Sequence, residues 1–178
     1  MALALPGLIW TVAYAGQSLS YGQYVHRTGL IALQLVLLAL AITPLCRWLP
    51  WPKVARWWRR SRRYVGVASF IYAALHVAAY CWRQPWPRVI DEAASFAYGA
   101  GWLAALVMAL LAITSNDASV RHLGRRWKAL HRWVYPATIL TLLHWWLTAF
   151  APRVVVPWIL VFALVLLARV VPREQGAS

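Results

Sequence analysis

Long apolar runs separated by short basic stretches constrain this chain more than any other feature. The runs occupy residues 28–46, 64–82, 98–114, 133–150 and 154–170, with residues 3–17 a weaker sixth candidate. Crossing a hydrocarbon core takes about 20 helical residues, within a range of about 17–25. Lipid offers no partner to backbone N–H and C=O groups, so a spanning segment must be a helix or part of a closed barrel. The runs are too long and too evenly apolar for barrel strands, which alternate lipid-facing and lumen-facing residues. The expected fold is an all-α integral membrane protein. It is a six-helix transmembrane bundle with a short first helix and helices at about 3–17, 27–47, 63–83, 98–115, 129–150 and 154–171, forming one domain over 1–178.

Composition excludes the main alternative. Of the 178 residues, 62% are apolar and 12% charged, whereas soluble domains average about half and a quarter. A net charge of +14 would otherwise point to nucleic acid. Nucleic-acid binders, however, display their basic residues on a folded soluble face or on aromatic-lined grooves. Here the basic residues lie between or beside the apolar runs, so no nucleic acid is expected and the lipid bilayer is the partner.

Charge also orients the bundle. Arg47, Lys53, Arg56, Arg59, Arg60, Arg62 and Arg63 lie between the second and third helices. Arg121, Arg125, Arg126, Lys128 and Arg132 lie between the fourth and fifth, and Arg169 and Arg173 end the last. The opposite side receives only Arg27, Arg83, Arg88 and Arg153, beside Asp91 and Glu92. The positive-inside rule places both termini and the two basic loops in the cytoplasm. Tryptophans favour the membrane–water interface. Trp48, Trp51, Trp57, Trp58, Trp127 and Trp133 fit the inner face, and Trp82, Trp86, Trp145 and Trp146 the outer. Cys46 and Cys81 then fall at opposite faces, too far apart to pair.

Ionisable side chains inside a membrane are costly and mark a ligand or a pathway. His76 lies about thirteen residues beyond the cytoplasmic start of the third helix, and His144 about fifteen beyond that of the fifth. At about 1.5 Å rise per residue both imidazoles reach a similar depth, roughly 20 Å from the inner face. Two facing imidazoles can fill both axial positions of one haem iron, a ligation suited to electron transfer. The plainer alternative is that each histidine only hydrogen-bonds a neighbouring helix. Zinc fits less well, since no Cys, Asp or Glu shares that depth. His131, nearer the cytoplasm, would have its partner on the third helix at residue 62 or 63. Arg62 and Arg63 stand there, poor iron ligands but good clamps for a propionate, a phosphate or a quinone oxygen. His131 is thus a candidate cofactor contact, with a second haem one option. His26 and His122 fit interfacial and solvated positions.

No dinucleotide fingerprint, P-loop or zinc-protease motif is present, so electrons must arrive from a partner or a small carrier. The stretches H26-R-T-G, I42-T-P-L45, R62-R-Y-V-G66, A74-L-H76, T114-S115 and L123-G-R-R-W-K-A-L-H131-R-W-V-Y135, followed by L143-H144, together resemble the ferric-reductase-like transmembrane family. The similarity is greatest to the haem-binding membrane subunits of bacterial periplasmic methionine-sulfoxide reductase systems, and it covers about His26 to Arg169. The resemblance implies a multi-pass inner-membrane cytochrome b holding one haem b or two, with FMN or quinone as further cofactors. It implies electrons drawn from a cytoplasmic flavin reductase or the quinone pool. They pass to a periplasmic molybdopterin methionine-sulfoxide reductase that repairs oxidised envelope proteins, the catalytic reductase being a separate chain. Carried onto this sequence, His76 and His144 match the family's haem ligands and His131 its third functional histidine. Arg62 stands where the wider family has a second histidine on the third helix. The rival functions are a ferric or quinone reductase with another acceptor, and a haem-free transporter or scaffold.

Overall fold

A computed structural model describes Leu3, residues 5–48 and residues 50–171; the Trp48 side chain and Arg173, both used above for orientation, lie outside the described residues. The protein is all-α and crosses the membrane several times. The described residues form nine α-helices rather than six. They are α1 (Leu5–Ala15), α2 (Tyr21–Trp48), α3 (Pro52–Arg83), α4 (Trp86–Ala93), α5 (Phe96–Ile113), α6 (Asp117–Leu123), α7 (Arg125–His131), α8 (Val134–Thr148) and α9 (Val156–Val170). A 3-10 turn at Pro152–Val155 leads into α9. Helices α2, α3 and α5, and α9 with its leading turn, have the length and hydropathy to cross a bilayer. Apolar α1 and α8, of 11 and 15 residues, are shorter. The additional helices α4, α6 and α7 are connecting segments of seven or eight residues.

Two boundaries depart from expectation for identifiable reasons. Helix α3 begins at Pro52, eleven residues before the expected 63, so the basic stretch is helical rather than a loop. Proline at the first position suits helix initiation, since its fixed φ is helical and its missing N–H is not needed there. Ala55 is buried on one face of this extension, while long basic stems let their charged ends reach water. The expected helix 129–150 is broken at Arg132–Trp133, between α7 and α8. Pro136 has no N–H for the Arg132 carbonyl. The Tyr135 N–H takes that carbonyl instead at 3.1 Å, in a tighter turn.

The bundle is organised as two helix pairs. Three residues join α2 to α3, and the two pack along one another; α5 packs in the same way on α8. The core between them gathers Leu33, Val36, Leu37 and Leu40 of α2, Met108 of α5, Ala137 and Leu142 of α8, and Phe162 and Val165 of α9. Apolar side chains also face outward, among them Ile71, Leu106, Ile113, Leu160, Leu164 and Leu167. A belt of that extent is an aggregation liability in water and the expected surface in lipid.

Buried hydroxyls on α3 are paired. The buried Ser69 hydroxyl on α3 donates to the Ala32 carbonyl on α2 at 2.7 Å. Tyr72 ties down the N-terminal segment: its hydroxyl accepts from the Gly7 N–H and donates to the Leu3 carbonyl, each at 2.8 Å. Gly7 permits this approach, because a Cβ there would lie 3.1 Å from the Tyr72 ring. Changing Tyr72 to Phe removes both bonds and leaves a buried N–H unpaired. The expected cost is about 1–3 kcal/mol, read as a lower unfolding temperature together with faster proteolysis ahead of α2. An unchanged proteolytic pattern would show that α1 is held by something else.

Pro44 lies inside α2 and cannot donate to the Leu40 carbonyl four residues earlier. Arg169 on α9 supplies the missing donor: its Nη2 meets that oxygen at 2.6 Å.

Candidate functional site: paired imidazoles between two helix hairpins

His76 on α3 and His144 on α8 face each other, with ring centroids 6.4 Å apart and ring planes at 89°. Each ring is docked on the partner helix of its own pair. His76 Nδ1 lies 2.9 Å from the Val25 carbonyl of α2, and His144 Nδ1 lies 2.8 Å from the Ala97 carbonyl of α5. A carbonyl only accepts, so both Nδ1 atoms carry the proton. Both Nε2 atoms are therefore left with a free lone pair, the form in which imidazole binds metal.

The two halves repeat one local solution. Four residues after Val25 stands Gly29, and four after Ala97 stands Gly101. Added Cβ atoms would lie 2.9 Å from His76 Nδ1 and 2.8 Å from His144 Nδ1, closer than side chains pack. Each glycine thus opens its helix surface so that an imidazole can reach the backbone carbonyl one turn earlier. In the sequence Gly101 reads only as a site of close helix contact and Gly29 only as the end of the H26-R-T-G stretch, while Val25 and Ala97 carry no signal. The pattern Val25-xxx-Gly29 facing His76, and Ala97-xxx-Gly101 facing His144, becomes visible only when the helices are paired.

These residues fit a haem. Two imidazoles holding one metal by bonds of about 2 Å place their ring centroids about 6 Å apart, which matches the observed separation. The glycine cradles seat both rings, and the shared Nδ1–H arrangement leaves both Nε2 atoms unprotonated. His76 and His144 are the residues that would hold the iron. Among the described residues no group of three or more His, Cys, Asp or Glu comes together as a metal site of another kind.

Aromatic groups lead from this pair toward the end of the bundle marked by α4. Tyr98 lies edge-on to His144 with centroids 5.8 Å apart, and Tyr80 lies 5.8 Å from Tyr98. The Tyr80 hydroxyl donates to Glu92 of α4, whose other oxygen accepts from Arg88 Nε at 2.7 Å. These two bonds, that of Tyr80 first, hold the Glu92 carboxyl below the usual carboxylate range. His26 is exposed, with its ring 5.9 Å from that of Trp145.

At the opposite end Arg62, Arg63 and His131 each take a different hydrogen-bond partner. Arg63 turns to Asp117 of α6, with Nη1 2.6 Å from Oδ1; that bond holds the Asp117 carboxyl low. Arg62 turns inward, its Nη1 donating to Thr43 Oγ1 at 3.3 Å. His131 lies within electrostatic reach of both arginines. Its ring stacks on Trp127 at 4.0 Å, and Trp127 Nε1 is anchored on the Thr114 carbonyl at 2.9 Å. The Thr114 hydroxyl donates to the Leu110 carbonyl at 2.7 Å, so it accepts the 3.2 Å bond from His131 Nε2. The Nε2 of His131 is thus engaged, unlike those of His76 and His144. His122 is exposed at the end of α6.

Paired imidazoles carried by two of several apolar helices mark an all-α, multi-pass membrane protein with metal-ligating groups inside its bundle. Residues 28–142 match the ferric reductase like transmembrane component, and the chain belongs to that family. A Xanthomonas campestris pv. campestris (strain B100) protein named "Protein-methionine-sulfoxide reductase heme-binding subunit MsrQ" is 43% identical over 127 residues, covering 68% of this chain and 56% of that protein. The protein of the same name from Deinococcus radiodurans is 37% identical over 155 residues, covering 81% of this chain and 75% of its own length. One from Xanthomonas oryzae pv. oryzae (strain MAFF 311018) is 42% identical over 127 residues, with the same 68% and 56% coverage. The chain spans a little over half the length of the Xanthomonas relatives. No solved structure matches it. The chain is a multi-pass protein of the bacterial inner membrane, closely related to these heme-binding subunits.

Proposed function

We propose that this chain is a haem b-binding electron-transfer subunit. In this reading it carries electrons from a cytoplasmic flavin reductase or the quinone pool to a periplasmic molybdopterin methionine-sulfoxide reductase. The observation that carries the proposal is the juxtaposition of His76 and His144 with both Nδ1 atoms donating to backbone carbonyls. The names of the relatives support both the haem and the reductase system.

When bound, haem would supply reversible one-electron chemistry toward the α4 end of the bundle, since the imidazoles dock at Val25 and Ala97, close to the starts of α2 and α5. The protein's part is to hold and insulate it. His76 and His144 are the residues that would hold the iron, and ligation by two imidazoles would suit electron transfer rather than oxygen or substrate binding. The apolar faces of α2, α3, α5 and α8 exclude water around the imidazoles. His131, Arg62 and Arg63 face the donor end, where the basic loops suit a flavin or quinone carrier and an acidic donor surface. With His131 Nε2 engaged by Thr114, we assign one haem per chain. Tyr98 and Tyr80 line the side toward the acceptor. The basic helices lie on the cytoplasmic side, and residues 1–178 act as one ferric-reductase-like domain.

The purified chain should show the sharp reduced α and β bands of a low-spin b-type haem, with roughly one haem per protein by pyridine haemochrome. Reduced protein mixed with the oxidised molybdenum partner should reoxidise when methionine sulfoxide is added. A colourless protein from haem-replete cells would leave only the transporter or scaffold reading. A coloured protein that the partner fails to reoxidise would retain the cytochrome and reject the acceptor.

A further inference from the structure

We propose that Arg62 and Arg169 form a phosphate-binding site at the inner end of the bundle, separate from the paired imidazoles. Arg169 lies in the last turn of α9 and Arg62 on α3, and both reach the same stretch of α2, Arg62 at Thr43 and Arg169 at Leu40, three residues apart. The Arg169 guanidinium sits 5.4 Å over the ring of Tyr135. Its Nη2 is spent on the Leu40 carbonyl that Pro44 leaves free. Its Nε is buried and meets no hydrogen-bond partner among the described residues. Arg62 makes one side-chain bond, to Thr43.

Two half-buried like charges brought to one stretch of α2, one of them with a buried Nε, are unfavourable unless an anion joins them. None is supplied by the described residues. Asp117 pairs with Arg63, and Glu92 with Arg88; Asp91 lies beside Glu92 in α4, in the short connection between α3 and α5. We take that partner to be a ligand. Two planar forks favour an oxyanion held by several parallel N–H bonds, and a phosphomonoester carries close to the two charges required. A haem on His76 is remote from this site, because Arg62 precedes His76 by fourteen residues of α3, about 21 Å along the axis. The phosphate can belong to a soluble phosphomonoester or to the headgroup of an anionic lipid of the inner leaflet.

The test uses the full chain in nanodiscs of phosphatidylcholine alone, or of phosphatidylcholine with an equal part of phosphatidylglycerol. Unfolding is followed by intrinsic tryptophan fluorescence while inorganic phosphate is added. In zwitterionic discs phosphate should raise the unfolding temperature saturably. Arg169→Gln and Arg62→Gln should weaken that affinity by about tenfold or more. Gln keeps a donor for the Leu40 carbonyl and for Thr43, so the fold is retained, and Arg169→Lys should recover part of the affinity. Exposed Arg60→Gln should leave it unchanged. If phosphatidylglycerol abolishes the phosphate response, the lipid headgroup is the occupant; if the response persists, the occupant is soluble. Equal responses in wild type and both Gln variants, or no response to phosphate or to phosphatidylglycerol, would overturn the site. Since the readout is unfolding rather than the haem spectrum, its failure leaves the cytochrome proposal standing.

Discussion

Changing His144 to Ala is expected to abolish the low-spin haem spectrum of the purified protein, and His76→Ala is expected to do the same. The reason lies in how each ring is held. His144 reaches the centre from α8 but is oriented by α5, through the 2.8 Å bond from Nδ1 to the Ala97 carbonyl. His76 reaches it from α3 and is oriented by α2. Removing either imidazole takes away one axial bond and also leaves a backbone carbonyl facing an empty cradle. A haem held from one side alone would be high-spin and easily lost. Loss of a directly bound ligand should exceed the 10–100-fold drop in affinity typical of outer-sphere changes, so haem content should fall to near background. His131→Ala provides the contrast. Its Nε2 is engaged by Thr114, so the low-spin bands should persist while electron entry from a cytoplasmic donor slows. A His144→Ala protein with a full low-spin spectrum and an unaltered redox titration would refute the axial assignment. Loss of half of the haem in His131→Ala would instead reinstate a second haem.

Much of the architecture was readable from hydropathy, because lipid imposes one requirement on every span. The expected segments at 27–47, 98–115 and 154–171 coincide with α2, α5 and α9 within about six residues. The shared depth of His76 and His144 followed from helix rise alone, and the rings do meet. Other features depended on information that a periodic pattern does not hold. The basic residues before 63 read as a loop, since their charge signals water; Pro52 and the buried Ala55 make them helix instead. Helices α4, α6 and α7 are too short to register as spans. Arg62 and Arg63 looked equivalent as neighbours, yet adjacent positions on a helix point about 100° apart. One therefore meets Asp117 and the other Thr43. Arg169 looked like a topological charge, and its role appeared only once α9 was seen beside the carbonyl that Pro44 leaves unpaired.

Changing Gly101 to Ala should lower haem affinity by roughly 10–100-fold, the scale of a lost outer-sphere contact, although helix propensity alone predicts the opposite sign. In a helix interior, Gly→Ala ordinarily stabilises by about 0.5–1 kcal/mol. At Gly101 the new Cβ would stand 2.8 Å from Nδ1, 2.9 Å from Cγ and 3.0 Å from Cε1 of His144. No small shift relieves three such contacts, so the ring must tilt away and its bond to Ala97 must lengthen. Gly29→Ala should act likewise through His76, where the clashes are 2.9 and 3.1 Å. Gly66 is the internal control: it lies in α3, and a Cβ there meets nothing within 4 Å. Gly66→Ala should therefore keep the full haem content and unfold at an equal or higher temperature. The comparison separates cradle from backbone, because all three substitutions add the same methyl group to a helix and only two of them touch an imidazole. Haem stoichiometry and the low-temperature EPR g values, which respond to the tilt of axial rings, are the measurements. Wild-type values for Gly101→Ala and Gly29→Ala would mean that the imidazoles have room to move, and that the close approach of ring to helix does not fix the site.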